Sequence, residues 1–200
     1  MAALSNLITQ AEKVSLGEDD IMAITMNQTR VVSYSDLAKC DNIMKLFHPY
    51  NNFVLFYETS SRSVGHWVCV LFHPNGGLRP PFHPPDVRDV GTIEFFDSYG
   101  MTDAMILGDA PTSDKLMRGV PYLTYLIQKS GMKYVYNNRC FQSKKESMAT
   151  CGRYAALRSR FKDVNMYKFQ SLLANNAYPS DFVVSALTVM FSPNAESLLL

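Results

Sequence analysis

Phe53-Val54-Leu55-Phe56-Tyr57 and His66-Trp67-Val68-Cys69-Val70-Leu71-Phe72 are near-continuously apolar and rich in aromatic and β-branched residues. A strand with one wet face alternates apolar with polar residues, so runs without alternation predict strands covered on both sides. Whatever this chain folds into must lay other elements over both faces of a sheet. A third strand is expected over Thr92–Phe96 and a short one over Tyr134–Tyr136. Helices are expected over 18–27 and over 34–47, the second opened by Ser35-Asp36, and over 122–128, closed by Gly131. The last third reads as helical, with stripes at Tyr154, Leu157 and Phe161, then Met166, Phe169 and Leu173, then Val183, Leu187 and Met190. Central strands with helices on both sides predict an α+β fold in a single domain, 1–200, whose first ~50 residues are helical.

Composition narrows the class further. With 47% hydrophobic and 18% charged residues, the 200-residue chain is not a disordered one. No stretch reaches the ~18 consecutive apolar residues of a membrane helix, and Met1–Gln10 has no basic start for a signal peptide. A soluble, intracellular protein with no membrane partner is expected. Cys40, Cys69, Cys140 and Cys151 form no Cys-x-x-Cys pair, which argues against a disulfide scaffold and a zinc site. His48, His66, His73 and His83 fit no common ligand spacing, so no metal is expected. The segment His73–Val90 carries five prolines and Gly76-Gly77; it reads as a loop, either a flap over a substrate or a decoration.

Cysteine catalysis needs a thiolate, a base within reach, a group to orient the base, and donors for the oxyanion. Cys151 opens a predicted helix, where the unpaired N–H groups and partial positive charge of a helix start favour a thiolate. Gly152 beside it would let a substrate approach the backbone. Cys69, within an apolar strand, reads as a small inert hydrophobe. His66 opens the second strand, where an imidazole is rigid yet reachable. Asp97 ends the third. If those two strands are antiparallel neighbours, His66 and Asp97 lie at the same sheet edge, and the carboxylate can fix the imidazole tautomer. Taken singly, each also has an ordinary structural role: a core histidine, a turn aspartate, a buried thiol.

Gly65-His66-Trp67, Phe96-Asp97-Ser98-Tyr99-Gly100, a glutamine, and Thr150-Cys151-Gly152-Arg153, in that order, resemble the His–Asp–Gln–Cys pattern of the ubiquitin-like-protease superfamily. Chain length and the Thr-Cys-Gly-Arg element look most like the adenain-like capsid-maturation proteases of adenovirus-related viruses, virophages and large DNA viruses. The resemblance covers roughly 53–161. It implies a papain-like or adenain-like fold, with a central mixed sheet flanked by helices and the nucleophile at a helix N-terminus. It further implies His66 as general base, Asp97 as its orienting acid, Cys151 as nucleophile and Gln142 as the oxyanion-hole amide, with Trp67 shielding the imidazole. The Gln142-to-Cys151 interval is longer than usual for the family and contains Lys144-Lys145-Glu146.

The activity implied is a cysteine endopeptidase cleaving viral precursor proteins near glycine, in the virion or the infected host cell. It would need no cofactor, with a peptide or DNA activator left open. Three alternatives stand beside it: an isopeptidase acting on ubiquitin-like modifiers, an acetyltransferase with a similar His–acid–Cys arrangement, and a binding module with a decayed site. Finally, Arg139 to Lys168 holds eight bases and two acids. That run offers a surface for DNA or another polyanion; the alternative is a solvated helix face, or pairing with acids of the N-terminal segment.

Overall fold

The computed structural model describes residues 2–58, 65–74, 91–109 and 120–192. Five strands form one sheet in the order β1-β2-β3-β4-β5: β1 Arg30–Ser33, β2 Asn52–Glu58, β3 Gly65–His73, β4 Thr92–Phe96 and β5 Lys133–Tyr136. The inner pairs β2/β3 and β3/β4 are antiparallel, while the outer pairs β1/β2 and β4/β5 are parallel. The fold is therefore α+β with a mixed sheet, and helices cover it on both sides. Residues 75–90, most of the proline-rich segment, and His83 with them, lie outside the described residues.

The two apolar runs occupy the centre of the sheet because each feeds two cores at once. On one face Phe53, Leu55, Val68, Val70 and Phe95 pack beneath Leu123, Leu126 and Ile127 of a helix spanning Tyr122–Ser130. On the other, Val54, Cys69, Leu71 and Phe96 meet Tyr154, Ala155 and Leu157 of the helix Cys151–Arg160. Period-two alternation sorts the side chains between these layers, and neither layer is solvent. In chain order the helices are α1 Ala2–Ala11, α2 Glu18–Ile24, α3 Met44–Phe47, α4 Asp103–Asp109, α5 Tyr122–Ser130, α6 Cys151–Arg160, α7 Met166–Ala174 and α8 Ser180–Phe191. Gly131 stops α5 in the left-handed region, at φ 67°, a conformation that glycine enters without steric cost.

Three expectations need correction. The N-terminal fifty residues are not all helical, because Arg30–Ser33 pairs in parallel with β2. The helix expected over 34–47 is a 3-10 turn, Tyr34–Lys39, and the single turn α3, parted at Cys40–Ile43. There the Asn42 side chain accepts from Met44 N at 2.9 Å, a local bond that competes with a continuous helix. In α8 the buried residues are Asp181, Val184, Ser185, Thr188 and Val189; of the expected stripe Leu187 is half-buried against the core, while Met190 is 76% exposed. Polar bonds from Asp181 and Thr188 to the α6 region set the rotation of this helix against its apolar pattern.

The basic stretch is likewise not one surface. Arg153 and Arg158 are fully buried. Arg160 donates to Ile24 O at 2.5 Å and lies over the Phe191 ring, and Lys162 donates to Tyr50 O. Arg139, Lys144, Lys145 and Lys168 are the bases of that stretch left exposed. Two of the eight bases are thus buried, and two more are engaged by contacts within the fold.

Candidate active site

The β3/β4 register ends at Cys69↔Phe96, and its continuation brings Asp97 and Tyr99 alongside His66, where β3 begins. His66 Nε2 is hydrogen-bonded to Asp97 Oδ1. Asp97 is fully buried, and its other oxygen accepts from the backbone N–H groups of Tyr99 at 3.1 Å and Met101 at 2.8 Å. Asn137 fixes the backbone of Asp97 from the β5 side: its Oδ1 accepts from Asp97 N at 2.8 Å and its Nδ2 donates to Asp97 O at 2.6 Å. The carboxylate therefore has one direction in which to point, and the imidazole is held by it. Tyr99 stacks on the imidazole with ring centroids 5.4 Å apart.

Cys151 is the first residue of α6, so its N–H has no acceptor within the helix and the partial positive helix end lies at its side chain. Burial would raise its thiol. The hydrogen bond to His66, the imidazolium charge, and the backbone of Trp67 and Gly152 outweigh it, so Cys151 ionises below the ordinary thiol value. In the same pair, burial works against charging His66, but the hydrogen bonds to Asp97 and Cys151 raise it to about 10. Thiolate and imidazolium stabilise each other. With Nε2 engaged by Asp97, Nδ1 is the nitrogen left for the sulfur. By contrast burial pushes up the Cys69 thiol, within β3, and the Cys140 thiol.

Gln142 lines the same cleft as Cys151, His66 and Tyr99, a space of about 770 Å³. Ser98 Oγ donates to its Oε1 at 2.7 Å, and Gln142 N donates to Ser98 O at 3.0 Å. With the carbonyl end engaged, the amide NH₂ is the end free for an oxyanion. Three of the four residues singled out in the sequence, His66, Gln142 and Cys151, thus line one cleft, and the fourth, Asp97, is buried and bonded to His66. Ser15–Glu18, Ser33, Asp36, Phe56 and Gly65 line the same cleft.

Two supporting residues act differently from expectation. The ring stacked on His66 is Tyr99, whereas Trp67 packs on Phe56, with centroids 4.3 Å apart, and donates from Nε1 to Leu16 O at 3.1 Å. Gly152 does not open a path for substrate, because Leu16 and Trp67 cover it. An added Cβ would sit 3.1 Å from Leu16 Cβ and 3.2 Å from Trp67 Cδ1. Gly152→Ala is therefore expected to destabilise the fold by about 1–3 kcal/mol through overpacking, measured as a lower denaturant midpoint with an unchanged slope.

Sequence reasoning missed Asn137 and Asp181, and saw Ser98 and Tyr99 only as parts of a motif. Among the described residues no three His, Cys, Asp or Glu side chains gather as a metal would need. No helix among them is long and apolar enough to cross a membrane.

The chain is 31% identical over 161 residues to the uncharacterized protein V9 of Sputnik virophage, a match that spans 80% of this chain and 83% of the relative. It belongs to the V9 family. No family model matches the sequence.

Proposed function

We propose that the protein is a cysteine endopeptidase that processes viral precursor proteins during particle maturation, on a papain-like, adenain-like arrangement of its α+β fold. The observation that carries this reading is that His66, bonded to the buried Asp97, lines one cleft together with Cys151 and Gln142. In such a site the Cys151 thiolate attacks the scissile carbonyl carbon. The carbonyl oxygen takes up the electron pair and receives hydrogen bonds from the Gln142 amide and the Cys151 N–H. His66, protonated on Nδ1, gives its proton to the leaving amine as the C–N bond breaks. His66 then takes a proton from water, which attacks the thioester and releases the thiolate. Asp97 holds the ring through both steps.

The virophage relative supports a viral setting, in the virion or the infected cell. The test is direct: the purified protein is incubated with virophage capsid precursors and glycine-containing peptides, and new N-termini are mapped by mass spectrometry. Cleavage near glycine is expected. Rapid labelling by ubiquitin or SUMO vinyl sulfone without precursor cleavage would instead assign an isopeptidase.

The pH profile follows from the two shifts. Cys151 is lowered, so attack is available below the ordinary thiol range. His66 is raised to about 10, so the proton needed by the leaving amine is present below that value and lost as pH rises through it. Peptide hydrolysis is expected to fall above about pH 10 while simple thiol alkylation, which needs no proton donor, does not. Parallel rate measurements over pH 5–11 check this; a hydrolysis rate still climbing at the alkaline end would contradict it.

A further inference from the structure

Gln142 and Cys151 are separated by a loop whose residues Lys144–Ser147 are exposed. Such a loop does not by itself keep its ends in register, because closing it costs conformational entropy. The two residues at its base are Ser143, next to Gln142, and Thr150, next to Cys151. Both are tied to one side chain. Asp181, on the first turn of α8 and only 4% exposed, accepts from Thr150 Oγ1 through Oδ1 at 2.5 Å and from Ser143 N through Oδ2 at 2.9 Å. Among the described residues no Lys or Arg lies within ion-pair distance of it. A buried carboxylate is expensive to keep, and charge-assisted bonds to these two donors are what hold it there.

We propose that Asp181 is a positioning residue that clamps the base of the 144–149 loop and so fixes the Gln142 amide against Cys151. The assignment rests on the cysteine-hydrolase reading of the same site. Asp181 touches neither the nucleophile nor the imidazole; it acts through Ser143 and Thr150. Its contribution therefore belongs to oxyanion stabilisation rather than to thiolate formation, and those two properties can be measured apart. Alkylation by iodoacetamide displaces iodide at a saturated carbon and needs only the thiolate. Acylation by p-nitrophenyl acetate passes through an oxyanion and needs the donors as well.

Asp181→Ala is expected to slow acylation of Cys151 by about 10–100-fold, as a misplaced donor does, while alkylation changes by less than about threefold. Asp181→Asn is expected to recover most of the acylation rate, because its Oδ1 accepts from Ser143 N–H while its Nδ2 donates to the Thr150 hydroxyl. If Asp181→Ala does not fold, Thr150→Val cuts the Oδ1 link alone at nearly constant shape, and the same split is expected. Acylation at the wild-type rate in these variants, or acylation and alkylation falling together, would overturn the clamp. So would an Asp181→Asn protein no faster than Asp181→Ala. A wild-type protein whose Cys151 reacts with neither reagent ahead of the exposed Cys140 would overturn the hydrolase reading itself, and the clamp with it.

Discussion

Cys151→Ala is expected to leave the fold intact and to lower peptide hydrolysis by at least about 10⁴-fold, because the thiol paired with His66 is gone. The side chain removed is small and sits at a helix start, so the loss of packing is slight and circular dichroism should be unchanged. His66→Ala should cost nearly as much. The thiolate then loses the imidazolium that lowers it, and the leaving amine loses its proton donor. The double variant is expected to be barely slower than either single one, since nucleophile and base work as a unit. Steady-state rates on a cleaved peptide check all three. A Cys151→Ala protein that cleaves normally would place the chemistry elsewhere.

The largest stability effect is expected away from the site, at a buried ion pair. Arg158 donates from Nε to Glu94 Oε1 at 2.6 Å and from Nη2 to Oε2 at 2.9 Å, and both side chains are fully buried. His73 Nε2 adds a third contact, to Glu94 Oε2 at 3.0 Å. Burial favours the neutral acid, but His73 and Arg158 outweigh it and hold Glu94 below its ordinary value. A lowered carboxylate contributes stability above its unfolded pKa and loses that contribution as pH falls through the folded one. Arg158→Met strands the Glu94 charge in the core and is expected to cost about 3–5 kcal/mol, read from the denaturant midpoint at neutral pH. Changing both residues at once, as Glu94→Leu with Arg158→Met, should cost much less than either change alone, because no charge is left unpaired. Equal losses in single and double variants would show that packing, not charge, is at stake.

The parts legible in the sequence were those that depend on local pattern. The runs 53–57 and 66–72 had to be doubly covered strands, and β2 and β3 are the heart of the sheet. Thr92–Phe96 became β4 with the same bounds. The nucleophile candidate stood out because Cys151 opens a helix, and His66 and Asp97 because strand start and strand end meet at one sheet edge. What stayed hidden was set by distant partners. β1 is only four residues, with Arg30 and Ser33 at its ends, and gains its strand form from pairing with β2. The phase of α8 follows from bonds to Thr150 and Arg153, which its own apolar pattern does not contain. Arg153 looked like a surface charge, yet it donates to Ala11 O, Val14 O and Thr188 Oγ1 in the interior. Asn137 lies forty residues beyond the aspartate it orients, and no local signal links them.

The central claim is that Cys151 is a thiolate paired with a charged His66. The measurement that meets it most directly is the rate of iodoacetamide modification as a function of pH, with mass spectrometry locating the modified cysteine. Cys151 is expected to react first and to keep its reactivity at pH 6, well below the free-thiol value of about 8.5, while Cys40, Cys69 and Cys140 lag. Preferential modification of Cys140, or a Cys151 that gains reactivity only as pH passes about 8.5, would contradict the claim.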